Sequence, residues 1–322
     1  MPVVFIVGPT GSGKSKLALM LARKLKAEIV SADSMQIYRG MDIGTAKPTK
    51  KEQRLVRHHL LDNLSSRAEC SVFKYRQLAI QAIQKIAKAK HLPMVVGGSG
   101  LYVKALIDGL TPLPAKQTQY RKELEKMSAA ELHEKLKKLD AHLAEKIHAN
   151  NKKRIIRALE ILQAPQAAPK KKMLTFSDYG FKPLIFGLNR DRAELYQRIE
   201  KRVDQMFDAG WVNEVKRLKK TGLSKTARYA IGYKEILEFL DGKKSFEEAD
   251  VEIKKRTRHL AKKQMTWFGR ESRVHWYSVS GEKYTSTLSH ITKEIKSSLR
   301  ATEGSEAISA RGLLRRPTAS SQ

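Results

Sequence analysis

The chain opens on Val3-Val4-Phe5-Ile6-Val7, a short β-branched run that is apolar at every position. A strand with no polar face belongs inside a parallel sheet, covered on both sides. Gly8 to Ser15 then leads into Lys16 to Leu25, where Leu17, Leu21 and Leu25 recur at helical spacing, so strand, glycine-rich loop and helix follow in turn. Glu28 to Ala32 predicts a second strand, His58 to Leu61 a short third, Gln77 to Lys88 a helix, Pro93 to Val96 a further strand and Leu184 to Leu188 another. Strands alternating with helices predict an α/β fold with a parallel sheet flanked by helices.

From about Lys116 to Gln163 the pattern changes to charged helical segments, among them Ala129 to Leu139 and Lys152 to Leu162, and it returns through the loop Ala164 to Lys172. This predicts an inserted all-helical subdomain over 116–182, set into a core made of 1–115 and 183–300. Asp191 with Glu194 three residues on has the form of a capping box, Leu195, Ile199, Val203 and Met206 form a buried stripe, and Gly210 is the stop. Another helix is expected from about Phe246 to Phe268, and from Ala301 onward the lack of periodicity predicts a disordered tail over 301–322.

Charge alters the picture more than composition does. Lys and Arg number 63 against 33 Asp and Glu, a net charge of +30, which points to a polyanionic partner, nucleic acid first and an anionic membrane second. The single cysteine, Cys70, excludes an internal disulfide and fits a reducing compartment. No apolar run approaches the roughly 20 residues that span a bilayer, and a strand pattern at the very start predicts no signal peptide. A soluble cytoplasmic protein, not bound to membrane, is the expectation.

Gly8-Pro9-Thr10-Gly11-Ser12-Gly13-Lys14-Ser15 fits the phosphate-binding loop: Gly, four residues, then Gly-Lys-Ser/Thr. Its glycines let backbone N–H groups converge on phosphate oxygens at a helix N-terminus, Lys14 adds charge, and Ser15 can ligate Mg2+. The motif gives a P-loop NTPase-like core and binding of a di- or triphosphate without saying which. Asp33 stands just past the second strand, at the sheet edge where such folds place ligands, and its carboxylate suits either proton acceptance or magnesium, or merely caps a turn. Gly97-Gly98-Ser99-Gly100 holds the same place on a later strand, so the magnesium-ligating Asp of phosphate-loop ATPases is missing there, which argues against an ATP hydrolase.

Arg198 and Arg202 share one helix face and suit an anion, although a solvated face explains them equally. His58-His59 lacks further ligands and reads as structural. The runs 254–263, with six Lys or Arg, and 152–157 are the strongest nucleic-acid candidates.

In this order the motifs resemble the bacterial tRNA dimethylallyltransferases, also called tRNA isopentenyltransferases, over about residues 3–280. Beyond the phosphate loop, the resemblance rests on Ser31 to Pro48, His58 to Asp62, Gly97 to Tyr102, Arg154 to Glu160, Arg198 to Arg202, Ile231 to Glu235 and Ala261 to Phe268. It implies transfer of a dimethylallyl group from dimethylallyl diphosphate to the N6 amine of the adenosine 3′ of the anticodon, in tRNAs reading codons that begin with U. It implies Asp33 as general base, Ser99 as the hydroxyl beside the reacting centre where relatives usually carry Thr, and Lys14 and Arg202 on the diphosphate. It places the target nucleotide against Asp33, Ser34, Met35, Gln36 and Ser99. Arg121, Lys153, Arg154, Arg157, Lys262 and Lys263 are implied to contact the tRNA anticodon stem-loop, with the inserted helices as the clamp and Mg2+ as cofactor; apart from the resemblance, a monomer is the expected form. Two positions depart from the family pattern: Gly269 stands for a usual Arg, and Tyr229 for a usual Gln or Arg.

Three other classes share part of this pattern: a phosphate-loop small-molecule kinase with a helical lid, an RNA binder with a nucleotide switch, and an isopentenyltransferase of free adenine nucleotides. The first and third leave the basic runs without a purpose; the second leaves Asp33 and Ser99 without one.

Overall fold

A computed structural model describes residues 1–110, 118–164, 174–280 and 283–313. The chain divides into two compact units, the first made of Met1–Gly109 and Leu174–Gln322, the second of Leu110–Met173. The first unit begins with β1 (Pro2–Val7), α1 (Lys14–Leu25), β2 (Ala27–Ser31), α2 (Lys50–Leu55), β3 (His58–His59), α3 (Val72–Lys88), β4 (Leu92–Val96) and α4 (Gly100–Ile107). The second unit contains α5 (Thr118–Lys126), α6 (Ala129–Leu139), α7 (Ala141–Glu145) and α8 (Lys152–Gln163). The first unit resumes with β5 (Lys182–Asn189), α9 (Arg192–Asp208), α10 (Trp211–Thr221), α11 (Lys225–Arg228), α12 (Tyr233–Leu240), α13 (Phe246–Phe268), β6 (Val274–Ser278) and α14 (Lys283–Leu313).

The six strands form one sheet, every adjacent pair parallel, in the order β3-β2-β4-β1-β5-β6. The pleat of β1 sends Val3, Phe5 and Val7 into the core beneath α3 and α4, and Val4 and Ile6 into the core beneath α1 and α14. Both sets are fully buried, which is why β1 carries no polar residue. A third core gathers Ile37, Tyr38 and Met41 around Trp211, Tyr233 and Ile253. Here the buried Glu214 carboxylate accepts from the backbone N–H groups of Asp42, Ile43 and Gly44 and from the Tyr233 hydroxyl, shaping the segment that follows β2.

β6 escapes a reading based on apolar runs. Only Val274 of its five residues is buried, because it lies at the sheet edge and carries a polar face. The capping box at α9 is half present: Asp191 accepts from the N–H groups of Ala193 and Glu194, while the Glu194 carboxylate turns to Arg190 instead. Helix α3 starts at Val72, ahead of the predicted Gln77, because the Ser71 hydroxyl caps it through Lys74 N–H. His58 and His59 are structural, His59 hydrogen-bonding Glu28 at 2.6 Å and His58 the Val56 carbonyl at 2.8 Å.

The second unit has its own small core of Leu124, Leu132, Leu136, Ile155 and Leu159. Its end is earlier than the sequence pattern suggested. Residues 174–182 belong to the first unit, where Phe176 packs edge-on against Phe5 at 5.6 Å and donates its N–H to Ile107 at 2.9 Å. A short 3-10 turn over Ser177–Tyr179 then leads into β5. Two buried aromatics, Phe176 and Phe181, carry that difference, and they are too few to show a period. The expected irregular tail is also corrected as far as Leu313, through which α14 continues; adding residues to an existing helix costs far less than starting one. Residues 314–322, and most of the return loop 164–172, lie outside the described residues.

Phe176→Ala removes a ring from the main core, so urea denaturation of the first unit is expected to show a loss of about 3–5 kcal/mol. An unchanged midpoint would place Phe176 outside that core.

Candidate active site

The loops after β1, β2 and β4 meet at one edge of the sheet because the three strands are parallel neighbours in register. Ala32 N–H donates to Val96 O at 2.8 Å, Ser99 N–H to Ala32 O at 3.2 Å, and Gly97 N–H to Ile6 O at 3.2 Å. The approach is so close that a Cβ on Gly97 would lie 2.2 Å from the Ala32 carbonyl oxygen. Gly8, with φ of +134°, passes as near to the Leu188 backbone, so both positions exclude a side chain. Around this junction opens a pocket of about 860 Å³ lined by the phosphate loop, Asp33 to Gln36, Ser99 and Arg202.

In the loop, Lys14 donates from Nζ to Pro9 O at 2.6 Å. It is half-buried in the pocket wall, and desolvation together with the neighbouring Arg202 guanidinium pushes its pKa down to about 7, against a smaller opposing pull from Asp33. Burial, then the charge of Arg198, also lowers Arg202, whose Nη1 lies 3.4 Å from the Thr10 hydroxyl. Two cations are thus held side by side at a cost that a bound polyanion removes. The buried Ser12 hydroxyl has no hydrogen-bond partner among the described residues, and the exposed Ser15 hydroxyl stands at the start of α1. Of the two, only Ser15 lines the pocket, where its hydroxyl can meet a ligand of the loop. Ser15 suits magnesium, which is commonly held by one or two protein oxygens plus phosphate oxygens and water.

Asp33 is gripped on one side only. Its Oδ1 accepts from Met35 N–H at 2.8 Å and Gln36 N–H at 3.3 Å, leaving Oδ2 without a hydrogen bond among the described residues. Burial raises its pKa, more than the two N–H donors and the charge of Lys14 lower it, which favours a carboxylate that takes up a proton. Ser99 caps α4 by position, yet its hydroxyl makes no capping hydrogen bond. Asp33, Ser34, Met35, Gln36 and Ser99 therefore line one pocket with Lys14, Ser15 and Arg202.

Other expected residues sit differently. The Gln36 amide is engaged within the fold, accepting from Ser31 Oγ at 2.9 Å and donating to Thr45 O and Ala46 O. Arg198 donates to Gly11 O at 3.0 Å, so it braces the loop it was expected to assist. In the second unit, Arg121 and Arg157 both pair with the buried Glu160, at 3.0 and 3.2 Å, while Lys153 and Arg154 are exposed. The basic run on α13 is mostly neutralised at its start: Lys254 pairs with Asp204 and Asp250, Arg256 with Glu235 and Arg258 with Glu200. Lys262 and Lys263 are exposed and, among the described residues, carry no ion pair. Tyr229 is 57% exposed at the pocket, and Gly269 is the residue on which α13 ends.

Three further residues brace the loop, and of these only Gln264 lies in a stretch that carries the family resemblance. Gln264 of α13 accepts from Thr10 N–H at 2.7 Å and donates to Gly98 O at 3.0 Å, tying the phosphate loop to the β4 loop. Arg190, at the end of β5, donates to Ser12 O at 3.1 Å, and the Tyr284 hydroxyl of α14 reaches Gly13 O at 3.4 Å. Their partners are backbone groups of the loops, 166 or more residues away in sequence, so spacing could not reveal the contacts.

Fold and pocket together define a phosphate-loop α/β protein with a carboxylate beside its cationic loop. A model of the family described as IPP transferase matches residues 36–271, and the chain belongs to that family. A tRNA dimethylallyltransferase of Pelotomaculum thermopropionicum is 42% identical over 285 residues, 86% of this chain and 91% of the relative. Among solved structures, the full-length tRNA isopentenylpyrophosphate transferase of Bacillus halodurans is similar with a TM-score of 0.72 and 39% identity, covering 95% of this chain and 99% of that one. A eukaryotic dimethylallyltransferase acting on tRNA gives 0.72 at 25% identity, over 99% and 81%. The kinase alternative is set aside by these relatives. No helix among the described residues is long and apolar enough to cross a membrane.

A polyanion in the loop should recharge Lys14. At pH 8 the ligand-free amine, with its pKa near 7, is mostly neutral, and diphosphate favours the charged form, so binding takes up a proton and weakens as pH rises above 7. Titration calorimetry of inorganic diphosphate in two buffers of different ionisation enthalpy is expected to show more proton uptake for the wild type than for Lys14→Met. Equal uptake by both proteins would remove Lys14 from the diphosphate site.

Proposed function

We propose that this chain transfers a dimethylallyl group from dimethylallyl diphosphate to the N6 amine of the adenosine 3′ of the anticodon, in tRNAs reading U-starting codons, and releases diphosphate. The observation that carries the reading is the single pocket in which a half-tethered Asp33 carboxylate and an uncapped Ser99 hydroxyl stand beside the Lys14 and Arg202 cradle.

The chemistry follows from those groups. An adenine amine is a poor nucleophile because its lone pair is shared with the ring. As nitrogen attacks the allylic carbon, the bond from that carbon to the diphosphate oxygen breaks and the amine proton passes to Asp33 Oδ2. Positive charge on the allylic carbon spreads over its double bond. Negative charge collects on the leaving diphosphate, where Lys14, Arg202 and the loop N–H groups meet it without reorganising. Magnesium held at Ser15 and the diphosphate oxygens would neutralise further charge on the leaving group. Ser99 is positioned to hydrogen-bond the base, and the apolar Ile199, Val203 and Met206 of α9, which line the same pocket, suit the hydrocarbon tail.

The target base has to leave its stack to reach this pocket, and the Gln36 amide has to exchange one of its internal bonds to read it. In our reading the acting form is a cytoplasmic monomer. Lys262, Lys263, Lys153 and Arg154 hold phosphates of the anticodon stem-loop with little sequence information, and Arg121 and Arg157 act from their Glu160 pairs.

Purified protein with dimethylallyl diphosphate, magnesium and unmodified tRNA is expected to yield a prenylated adenosine by nucleoside mass spectrometry. Asp33→Asn should lose about 10²–10⁴-fold in turnover while retaining tRNA affinity in a filter-binding assay. Wild-type turnover with unchanged activity in the variant would reassign the base; no prenylated nucleoside at all would sink the reading.

A further inference from the structure

A second cavity, about 780 Å³, shares Gly100, Lys263 and Trp267 as a wall with the catalytic pocket. Its size lies within the range of about 300–1,000 Å³ typical of small-ligand sites. The cavity exists because β6 is an edge strand and α13 ends at Phe268, which leaves Val103 of α4, Ile185 of β5 and Val274 of β6 lining a gap. The apolar lining has one aromatic face, Trp267, which is 45% exposed and lies so close over Gly100 that a Cβ there would meet its ring at 2.1 Å.

The surrounding charge is positive and largely unspent. Lys262, Lys263 and Arg270 have no ion pair among the described residues, whereas Lys104 is held by Asp108 at 3.0 Å. The one lining carboxylate, Glu271, is taken by Arg273 at 2.6 Å. A site with an indole face, apolar walls and free cations, and with no unpaired carboxylate, binds without reacting. Those are the parts that receive an unstacked nucleobase together with its phosphates.

Resting on the tRNA reading above, we propose that this cavity holds the base of a nucleotide flanking the target adenosine, stacked on Trp267, with its phosphates held by Lys262, Lys263 and Arg270. The shared wall sets two adjacent nucleotides of one strand in two adjacent pockets, one for chemistry and one for grip. The free cations select a polyanion over an apolar peptide as occupant. Removing the target base from its stack exposes its neighbours, and a second stacking site offsets that loss.

The test blocks the cavity from a position that the catalytic pocket does not use. Thr266 is exposed, lines only this cavity, and its hydroxyl bonds merely to Lys262 O within the helix, so Thr266→Trp fills the space and Thr266→Glu repels phosphate. Anticodon stem-loop RNAs are prepared intact, or with an abasic residue immediately 5′ or immediately 3′ of the target adenosine, and assayed with dimethylallyl diphosphate. With wild type, one of the abasic RNAs is expected to raise the RNA KM about tenfold. Both variants should raise the KM for intact RNA by a similar factor, leave the KM for dimethylallyl diphosphate unchanged, and lose nothing more on the abasic RNA. The proposal falls if wild type is indifferent to both abasic RNAs, or if the variants still suffer the full abasic penalty. Failure of wild type to prenylate intact RNA sinks the transferase reading instead, and the two failures are distinct.

Discussion

The backbone junction of Gly8, Ala32 and Gly97 is the constraint on which the site depends. Parallel pairing of β2, β4 and β1 brings three strand ends level, and the N–H of one loop satisfies the carbonyl of the next. No side chain fits between Gly97 and Ala32, so the loops can close only over glycine. Closure puts a carboxylate from the loop after β2, a hydroxyl from the loop after β4 and the cationic loop after β1 into one pocket, although they are separated by tens of residues in sequence.

The pocket is electrostatically unfinished. Lys14 and Arg202 lie where burial, and then the charge of Arg202 on the one and of Arg198 on the other, disfavours the charged form, and the surrounding protein offers them a carbonyl and a hydroxyl in place of ion pairs. In the proposed reaction a diphosphate supplies the missing charge, and more of it as the bond to carbon breaks, so the loop would favour the transition state over the resting state. The shape of the loop is kept by Arg190, Arg198, Gln264 and Tyr284, which all bind its backbone.

Basic residues divide into two populations that composition cannot separate. Along α13, Lys254, Arg256 and Arg258 fasten the helix to α9, α12 and each other's neighbours through carboxylates, and the two lysines a turn further on stay free. In the second unit Arg121 and Arg157 serve the buried Glu160, and Lys153 and Arg154 face outward. Ion pairing therefore takes part of each basic run out of play, and in the proposed reading Lys153, Arg154, Lys262 and Lys263, unpaired among the described residues, are the cations left for RNA.

The amino-acid sequence alone determined the central strand, the phosphate loop, the parallel α/β class, helices such as 129–139 and 246–268, and the candidacy of Asp33, Ser99, Lys14 and Arg202. The elements are written in local pattern, in apolar runs, helical periods and glycines at fixed offsets, while the roles expected of Asp33, Ser99 and Arg202 rest on the family resemblance. Only the tertiary structure decided that Asp33 is held through one oxygen, that Gln264 joins two loops, that Glu214 shapes the segment after β2, and that residues 174–182 return to the main core. Those outcomes depend on pairs of groups far apart in sequence whose meeting is fixed by strand order and helix packing, and such pairs leave no period or spacing to read.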